Sequence, residues 1–480
     1  MDNKELSKKV INGMKWKTIE RLFLQVINAV TPMVLARMLM PEDFGTIAIL
    51  SVFISIANTF VNNGLCNSII QKKESDNTDC STVFYTQFVI ALVCYAVLFG
   101  CAPLIAGMYD NPELSSMLRV MSLSVVIGSF GAMQITVMKK NMEFSKSFAI
   151  YGCASIAYGV VGIGMAYFGF GCWSLVYAGL ANSLFQTLAA VIMVRWKPKV
   201  TFSFSRLKML FSYSWKLTVG WLIGTLHQDL YTLVVGKRFS KATLGYYNRA
   251  GSFPQIIGKT ITEVVDGVMF PAMSRIQDDR VQLKSVARNL ITLNSYVIFP
   301  LFFGLAATAE NLVTLLITEK WLPCVPMMQI ICITYSLNSL NNSNMQVFNS
   351  MGRSDIFMKF ELIKRSISIV LLIITSFISI YAVILVLLLM AIISNMMNAF
   401  QNNKLLDYKY SEFLKDALPS FLLAAVMAIC TWCVGFAALP AIVSLILQIV
   451  CGVAVYLALS YIFKFKAFSI LINTLRKRNG

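Results

Sequence analysis

Charged and amide side chains recur at helical spacing inside the long apolar stretches of this 480-residue chain. In the first stretch, Lys17, Arg21, Gln25 and Asn28 are three or four residues apart and would share one face of a helix. A charged side chain at the centre of a membrane-spanning helix costs about 3 kcal/mol unless it faces a partner or a water-filled cavity. Arg21 lies one turn deeper than Lys17, so it is a candidate for binding a ligand in such a cavity.

Uncharged polar groups repeat this arrangement in the second apolar stretch. Ser51, Ser55, Asn58 and Asn62 again follow helical spacing. Amides at such positions bind polar ligands, or they hydrogen-bond to a neighbouring helix and hold the bundle together. The pattern makes Asn58 and Asn62 candidate substrate-binding residues. In the tenth stretch we interpret four amides as contacts between helices: Asn338, Asn341, Asn342 and Asn349.

Three titratable groups are candidates for binding an ion or proton that drives transport. His227 is the single histidine of the chain and lies about midway along the seventh apolar stretch, on one face with Lys216. Asp229 follows two residues later, about 160° around the helix from His227. Glu20 lies in the first stretch. A structural role competes with ion coupling for each of them, because polar groups inside the membrane also pair with one another.

The apolar stretches define the fold class. Hydrophobic residues make up 57% of the chain and charged residues 13%, too little polar surface to enclose a water-soluble core. A spanning helix needs roughly 20 apolar residues, so we predict an all-α integral membrane protein with about fourteen transmembrane helices. Thirteen is the alternative, because only a slight polar break at 376–381 divides the eleventh helix from the twelfth. The predicted helices are 15–39, 44–68, 83–107, 117–138, 147–168, 172–194, 210–236, 244–271, 290–317, 324–350, 359–379, 381–402, 414–436 and 440–463.

Lysines and arginines are concentrated in alternate loops of this map. We count 31 of the 41 on one side of the membrane and 4 on the other, with 6 inside or at the ends of helices. The positive-inside rule then places both termini in the cytoplasm. The net charge of +18 is therefore spread over many loops, whereas nucleic-acid binding needs one concentrated basic face. We expect contact with membrane lipids and none with nucleic acid.

No motif for catalysis or cofactor binding stands out. The 11 cysteines lie mostly inside apolar stretches, where thiols behave as small hydrophobic groups. Gly258-Lys259-Thr260 resembles the end of a phosphate-binding loop, but Phe253 occupies the place of its first glycine and no strand precedes it. The sequence holds no metal-ligand cluster and no nucleophile beside a plausible base. We therefore predict a transporter rather than an enzyme, with no cofactor and no metal.

An internal repeat of about 200 residues organises the chain. Trp16-Lys17 opens the first helix and Trp215-Lys216 the seventh, while Gly45 and Gly245 lie at the starts of the helices that follow them. A repeat of six helices makes the two halves parallel, and such folds bind their substrate between the halves. We predict four parts: an N-lobe at 1–195, a cytoplasmic linker at 196–208, a C-lobe at 209–403, and two more helices with a basic cytoplasmic tail at 404–480.

Two segments carry a family resemblance, ARMLMPEDFG at 36–45 and FPAMSRIQDD at 270–279, supported by MGRSD at 351–355. They resemble the bacterial polysaccharide transporters of the MOP flippase superfamily, and most closely the branch of colanic-acid and teichuronic-acid exporters. The resemblance covers the first eleven helices. It implies a two-lobed MOP/MATE-like fold in the bacterial cytoplasmic membrane. It also implies a flippase that moves undecaprenyl-diphosphate-linked oligosaccharide to the outer leaflet by alternating access.

The implied substrate calls for cationic side chains in the membrane. A lipid diphosphate is anionic, so its transporter needs positive charge in a cavity that opens toward lipid. Arg37 and Lys237 have an alternative role as anchors at the membrane interface. The implied partners are the lipid-linked oligosaccharide, membrane lipids and a polysaccharide polymerase or export machinery, and the chain would act as a monomer. The candidate cations come from matching places in the two halves: Arg21, Arg37, Lys216, Lys237 and Arg249.

Two other functions compete with this interpretation. A cation-coupled multidrug exporter of the same superfamily would use Asp229 or Glu20 as its coupling carboxylate, although cations dominate the polar positions of this chain. A polysaccharide polymerase also handles lipid-linked glycans. Such enzymes generally carry a large external loop, and the predicted outer loops here are short.

Overall fold

The computed structural model describes residues 3–72, 74–437 and 439–469, and every regular element in these ranges is helical. The end of the predicted basic tail, 470–480, lies outside the described residues. The α-helices are α1 Asn3–Met38, α2 Pro41–Asn58, α3 Leu65–Gln71, α4 Asn77–Met108, α5 Glu113–Lys140, α6 Phe144–Tyr167, α7 Cys172–Met193, α8 Phe204–Arg238, α9 Lys241–Ser274, α10 Arg280–Ala307, α11 Ala309–Ile317, α12 Val325–Ser350, α13 Ser354–Thr375, α14 Ile380–Leu406, α15 Tyr410–Val434 and α16 Ala441–Ile462.

Ten helical segments within the described ranges are long and apolar enough to cross a bilayer. The chain is therefore an all-α, multi-pass membrane protein, as predicted. A single span includes both α2 and α3, Pro41–Gln71. Four more long helices, α8, α9, α12 and α13, carry more polar residues and fall outside this set. The number fourteen stays a prediction.

Two helix boundaries refine the predicted map. The predicted helix at 290–317 is interrupted at Thr308, where α10 ends and the short α11 begins. Asn311 holds α11 against α16 by donating hydrogen bonds to Ser444 Oγ and Gln448 Oε1, each 2.9 Å long. The slight break predicted at 376–381 is present. Helix α13 ends at Thr375, and Ser379 Oγ accepts a hydrogen bond from the backbone N–H of Ala382 at the start of α14.

A π-helical turn, Thr59–Asn63, joins α2 to α3. Such turns insert an extra residue into a helix and occur frequently at functional sites. Gly64 follows the turn, and a Cβ atom there would lie 2.2 Å from Thr218 Oγ1 of α8. The absence of a side chain at Gly64 therefore lets α8 approach the backbone where the second span changes its helical form.

The chain divides into two compact units, Met1–Gly245 (unit 1) and Tyr246–Gly480 (unit 2). In unit 1, α8 packs against α2, α3 and α4. The predicted lobes at 1–195 and 209–403 remain a prediction about the moving parts of a transporter. By contact, however, α8 belongs with the helices that precede it.

Two glycines of the internal repeat touch within unit 1. A Cβ atom at Gly45 in α2 would lie 1.9 Å from the carbonyl oxygen of Lys241, and one at Gly245 would lie 2.0 Å from the carbonyl oxygen of Pro41. The contact is reciprocal, since each glycine faces a backbone carbonyl of the other segment. Only residues without a side chain allow two backbones to approach this closely.

Polar contacts at one end of unit 1 join the start of α4 to the segment 196–208. Arg206 forms ion pairs with Asp76 and Asp79. Trp196 Nε1 donates to Asn77 Oδ1 at 2.7 Å. Arg206 lowers the pKa of the Asp76 carboxyl, chiefly by hydrogen bonding to its ionised form. These bonds tie the predicted cytoplasmic linker to the start of α4.

Asparagines join α12 to α14 in unit 2. Asn398 Nδ2 donates to Asn341 Oδ1 at 2.6 Å, and Asn402 Nδ2 donates to Asn344 Oδ1 at 3.1 Å. Asn395 Nδ2 also donates, to the carbonyl of Leu337 at 2.8 Å. The expected structural role of amides in the tenth stretch thus holds for Asn341, which bonds across the two helices.

Candidate functional site

Unit 1 contains an elongated cavity of about 550 Å³ between α2, the π-helical turn, α3, α5 and α7, with α6 contributing one side chain. This volume falls within the roughly 300–1,000 Å³ that is typical of ligand pockets. Most such pockets are lined mainly by apolar groups, whereas this one is rich in amides and hydroxyls. Its polar lining residues are Asn58, Asn62, Asn67, Ser124, Thr136, Lys139, Tyr151, Asn182, Ser183, Gln186 and Thr187.

Hydrogen bonds between α5 and α7 fix one wall of the cavity. Ser183 Oγ donates to the carbonyl of Ser124 at 2.8 Å, and Thr187 Oγ1 donates to the carbonyl of Ile127 at 3.0 Å. Gly131 makes the close approach possible, since a Cβ atom there would lie 3.0 Å from the Thr187 backbone. These bonds give the two hydroxyl donors acceptors that lipid could not supply, and the hydroxyl oxygens keep lone pairs for a ligand.

The amides of the cavity offer donors and acceptors to a polar ligand. Asn62 Nδ2 donates to Asn58 Oδ1 at 3.2 Å, which leaves the Asn58 amide nitrogen and the Asn62 carbonyl oxygen available. Asn182 and Gln186, four residues apart on α7, form no hydrogen bond with the described part of the chain through their side chains and are half-buried. This combination suits a ligand with many hydroxyl groups.

Lys139 is the charged side chain in the cavity lining among the described residues. Its neighbour Lys140 has a different role, because Lys140 Nζ donates to the carbonyls of Ile69 and Lys72 and to Ser75 Oγ. The two adjacent lysines at the end of α5 therefore have different roles. Lys140 holds the loop after α3, and Lys139 brings positive charge to the cavity.

Unit 2 has a smaller polar cavity of about 270 Å³ between α9 and α12. Its α9 wall includes Gly258 and Thr262, which lie 200 residues after Asn58 and Asn62 of the larger cavity. The internal repeat thus places a polar cavity on the same face of the second helix of each half. The remaining polar lining comes from Gln255, Lys259, Glu263, Tyr335, Asn338, Ser339 and Asn342.

Of the residues predicted from the sequence, Asn58 and Asn62 line the unit 1 cavity. Among the described residues, none of the predicted cations lines it. Glu20 is buried on α1 and forms an ion pair with Lys17 at 2.6 Å. The other carboxylate oxygen of Glu20, Oε2, is buried and makes no hydrogen bond within the described ranges. Arg21 is exposed.

The other predicted cations lie in different surroundings. Arg37 and Lys216 are exposed. Lys237 Nζ donates to the carbonyl of Met108 and lies 3.5 Å from a carboxylate oxygen of Asp110. Arg249, the one predicted site residue in unit 2, is buried with its guanidinium 5.3 Å above the Trp321 ring. This contact fits a structural cation–π interaction.

Of the two predicted coupling groups of α8, Asp229 faces the second span. Ser55 of α2 lies within hydrogen-bonding reach of the Asp229 carboxylate. One turn away, the hydroxyls of Thr59 and Thr225 are 3.4 Å apart. His227 lies on the same helix, with its ring centroid 6.4 Å from that of Tyr231. The face of α8 that carries Thr225 and Asp229 therefore packs against the second span, whereas His227 lies about 160° further around the helix.

Nine polar cavity residues were missed at the level of sequence, and Lys139, Asn182 and Gln186 are among them. Lys139 was counted only as a loop charge. On α7, Gly179, Ser183 and Gln186 follow helical spacing, which is the signal that marks a polar stripe. Applied to this segment, the same pattern search that found Asn58 and Asn62 would have found the opposite wall.

Comparisons with known proteins agree with this architecture. A family model described as polysaccharide biosynthesis protein matches residues 34–326. The lipopolysaccharide biosynthesis protein WzxC of Escherichia coli K12 is 28% identical over 75% of this chain and 73% of its own length. The teichuronic acid biosynthesis protein TuaB of Bacillus subtilis 168 is 22% identical over 73% of each chain. A solved structure of the lipid II flippase MurJ, in an inward closed conformation, superposes with a TM-score of 0.74 at 16% identity, covering 93% of this chain and 98% of that one. That likeness shows the fold.

Proposed function

Because the chain belongs to the polysaccharide biosynthesis protein family, we propose that it is a flippase for lipid-linked oligosaccharide. In this role it moves an undecaprenyl-diphosphate-linked precursor of a surface polysaccharide across the bacterial cytoplasmic membrane by alternating access. The fold shared with a lipid II flippase and the relatives named for lipopolysaccharide and teichuronic acid biosynthesis support the proposal.

The polar cavity of unit 1 is the observation that carries this proposal. A cavity of about 550 Å³ lined by five amide side chains lies among helices of membrane-spanning length. Polar groups in such surroundings are costly unless they face water or a polar ligand. A glycan has the hydroxyl groups that these amides bind, whereas an apolar drug would leave them unpaired.

We assign the lipid diphosphate to cationic side chains outside this cavity. Arg21 and Lys216 are the leading candidates because both are exposed and each lies in the first helix of its repeat. Arg37 is exposed too. Lys237 and Arg249 are weaker candidates, since Lys237 binds the end of α4 and Arg249 packs on Trp321.

For coupling to an ion gradient, Glu20 is the best-placed carboxylate. It is buried, one of its oxygens pairs with Lys17, and it lies near the cavity residue Tyr151. Asp229 and His227 are the alternatives on α8. We further propose that the protein acts as a monomer with both termini in the cytoplasm, and that it passes its product to a polysaccharide polymerase or export machinery.

The proposal is tested in a strain that lacks this gene. We expect lipid-linked oligosaccharide to accumulate and surface polysaccharide to disappear in this strain. The intact gene should return both quantities to their wild-type levels. A gene encoding Arg21→Ala should fail to do so although the protein reaches the membrane. Unchanged lipid-linked glycan and intact polymer, in a strain with no second flippase, would favour the multidrug exporter instead.

A further inference from the structure

The unit 1 cavity has two chemically different parts. Its neutral part consists of amides and hydroxyls from the second span and α7, and its charged part is Lys139 at the end of α5. Along α5 the lining extends from Met121 to Lys139, about 27 Å at the rise of an α-helix. An elongated ligand could therefore meet neutral groups along its length and a cation at one end.

The position of Lys139 sets it apart from the structural lysines around it. Lys140 is committed to two backbone carbonyls and a hydroxyl, and Lys146 forms an ion pair with Glu143 at 2.7 Å. The Lys139 ammonium is exposed and makes no hydrogen bond or ion pair with the described part of the chain. Among these three lysines, Lys139 is the one that can pair with an anion on a ligand.

The neutral part of the cavity favours a sugar as the carrier of that anion. Tyr151 contributes a ring to the lining, and Asn182 with Gln186 contributes amides that no described side chain or backbone group occupies. Sugars present hydroxyls to amides and a C–H face to aromatic rings. Inorganic anions would use the ammonium but would leave the rest of this lining unpaired.

We propose that the unit 1 cavity binds an oligosaccharide that carries a carboxylate, with Lys139 pairing with the carboxylate and the amides of the second span and α7 holding the sugar hydroxyls. This inference rests on the proposed function and names the class of glycan that it takes, an acidic one. Lys139 is thus a specificity-determining residue, because a neutral glycan gives its ammonium no partner.

The test uses the full chain in lipid nanodiscs and two matched probes. One is a tetrasaccharide containing a hexuronate, and the other is the same tetrasaccharide with that carboxylate reduced to a primary alcohol. We expect the wild-type protein to bind the acidic probe about tenfold more tightly or better, the range of one charge-assisted hydrogen bond. Lys139→Gln should remove the difference between the two probes. Lys139→Arg should retain it, and Lys208→Gln serves as a charge-matched control outside the cavity.

Equal affinity for the two probes in the wild-type protein would overturn the proposal, as would a preference that survives Lys139→Gln. A short-chain isoprenyl diphosphate is the third probe. If its binding falls in Lys139→Gln and that of the acidic tetrasaccharide does not, the cavity cation serves the phosphate of the carrier lipid, and the proposal is wrong.

A transport assay separates this proposal from the proposed function. In proteoliposomes, equal translocation of acidic and neutral lipid-linked glycans, unaffected by Lys139→Gln, would refute acidic selectivity and support the flippase. No translocation of either glycan, with binding of the acidic tetrasaccharide retained and dependent on Lys139, would refute the flippase and support the binding site.

Discussion

Replacing Gly45 by alanine should push apart two segments of unit 1. The new Cβ atom would lie 1.9 Å from the carbonyl oxygen of Lys241, and real Cβ atoms essentially never come closer than 3.0 Å to another heavy atom. The backbones must therefore separate by at least 1.1 Å, the difference between these two distances. Since the obstacle is backbone rather than a flexible side chain, we place the cost at the upper end of overpacking, about 3 kcal/mol.

Helix propensity offsets part of that cost. Alanine is favoured over glycine inside a helix by about 1 kcal/mol, so Gly45→Ala should lower the free energy of unfolding by about 2 kcal/mol. For a unit of this size, that loss corresponds to a fall in Tm of roughly 4–8 °C. The measurement is thermal unfolding of the purified protein in detergent micelles. Gly164→Ala in α6 is the matched control, because a Cβ atom there meets nothing within 4 Å.

Because the contacts of Gly45 and Gly245 are reciprocal, Gly245→Ala and the double variant provide a second test. Gly245→Ala should cost about as much as Gly45→Ala, since its Cβ atom would lie 2.0 Å from the carbonyl oxygen of Pro41. The double variant should cost less than the sum of the two, because one separation relieves both clashes. A Gly45→Ala protein as stable as the Gly164→Ala control, or strictly additive losses, would refute the close contact.

Three further predictions use the same unfolding assay. Asp76→Asn keeps an acceptor at the start of α4 but removes the charge that pairs with Arg206. That arginine lowers the pKa of Asp76 in the folded protein. The stability from the pair is therefore present at pH 7 and is lost as the pH falls below 3.8. The difference in Tm between wild type and Asp76→Asn should therefore persist from pH 7 down to pH 3.8 and close as the pH falls further, and a difference that stays constant below pH 3.8 would contradict the ion pair. Arg249→Lys removes a planar group from the Trp321 ring and should cost about 1 kcal/mol, whereas no change would mean that the stacking is not stabilising. Asn402→Leu leaves its partner on α12 unpaired and should cost about 1–2 kcal/mol; an equally stable variant would show that lipid or water replaces the bond.

The positions of the helices followed from the sequence because a bilayer allows few other structures. A long apolar run must satisfy its backbone hydrogen bonds internally, and a helix does so. Thus α5, predicted at 117–138, is observed at Glu113–Lys140. The break at Thr308 was not predictable from its apolar surroundings, because α11 is held by side-chain hydrogen bonds from Asn311 to a helix more than 130 residues later.

The candidate site was predicted only in part, because contacts between helices that are distant in sequence leave no local signal. Spacing on a single helix identified Asn58 and Asn62, and both line the cavity. Spacing cannot show which helices face each other, so the opposite wall at Asn182 and the cation Lys139 had to come from the three-dimensional arrangement. The charges of Arg21 and Lys216 stood out in the sequence, yet within the described residues they lie outside this cavity.

All residues that line the unit 1 cavity lie in the part of the chain that the ribosome synthesises first. The first lining residue is Ile54 and the last is Thr187, which leaves the 293 residues after Thr187 still to be translated. At roughly 5–20 residues per second, their synthesis takes on the order of 15–60 s. For that time the nascent protein already has all the side chains of a polar pocket while its second half is missing. The bonds from Ser183 and Thr187 to the α5 carbonyls come entirely from this early part, so they can stabilise the pocket in the bilayer during biogenesis.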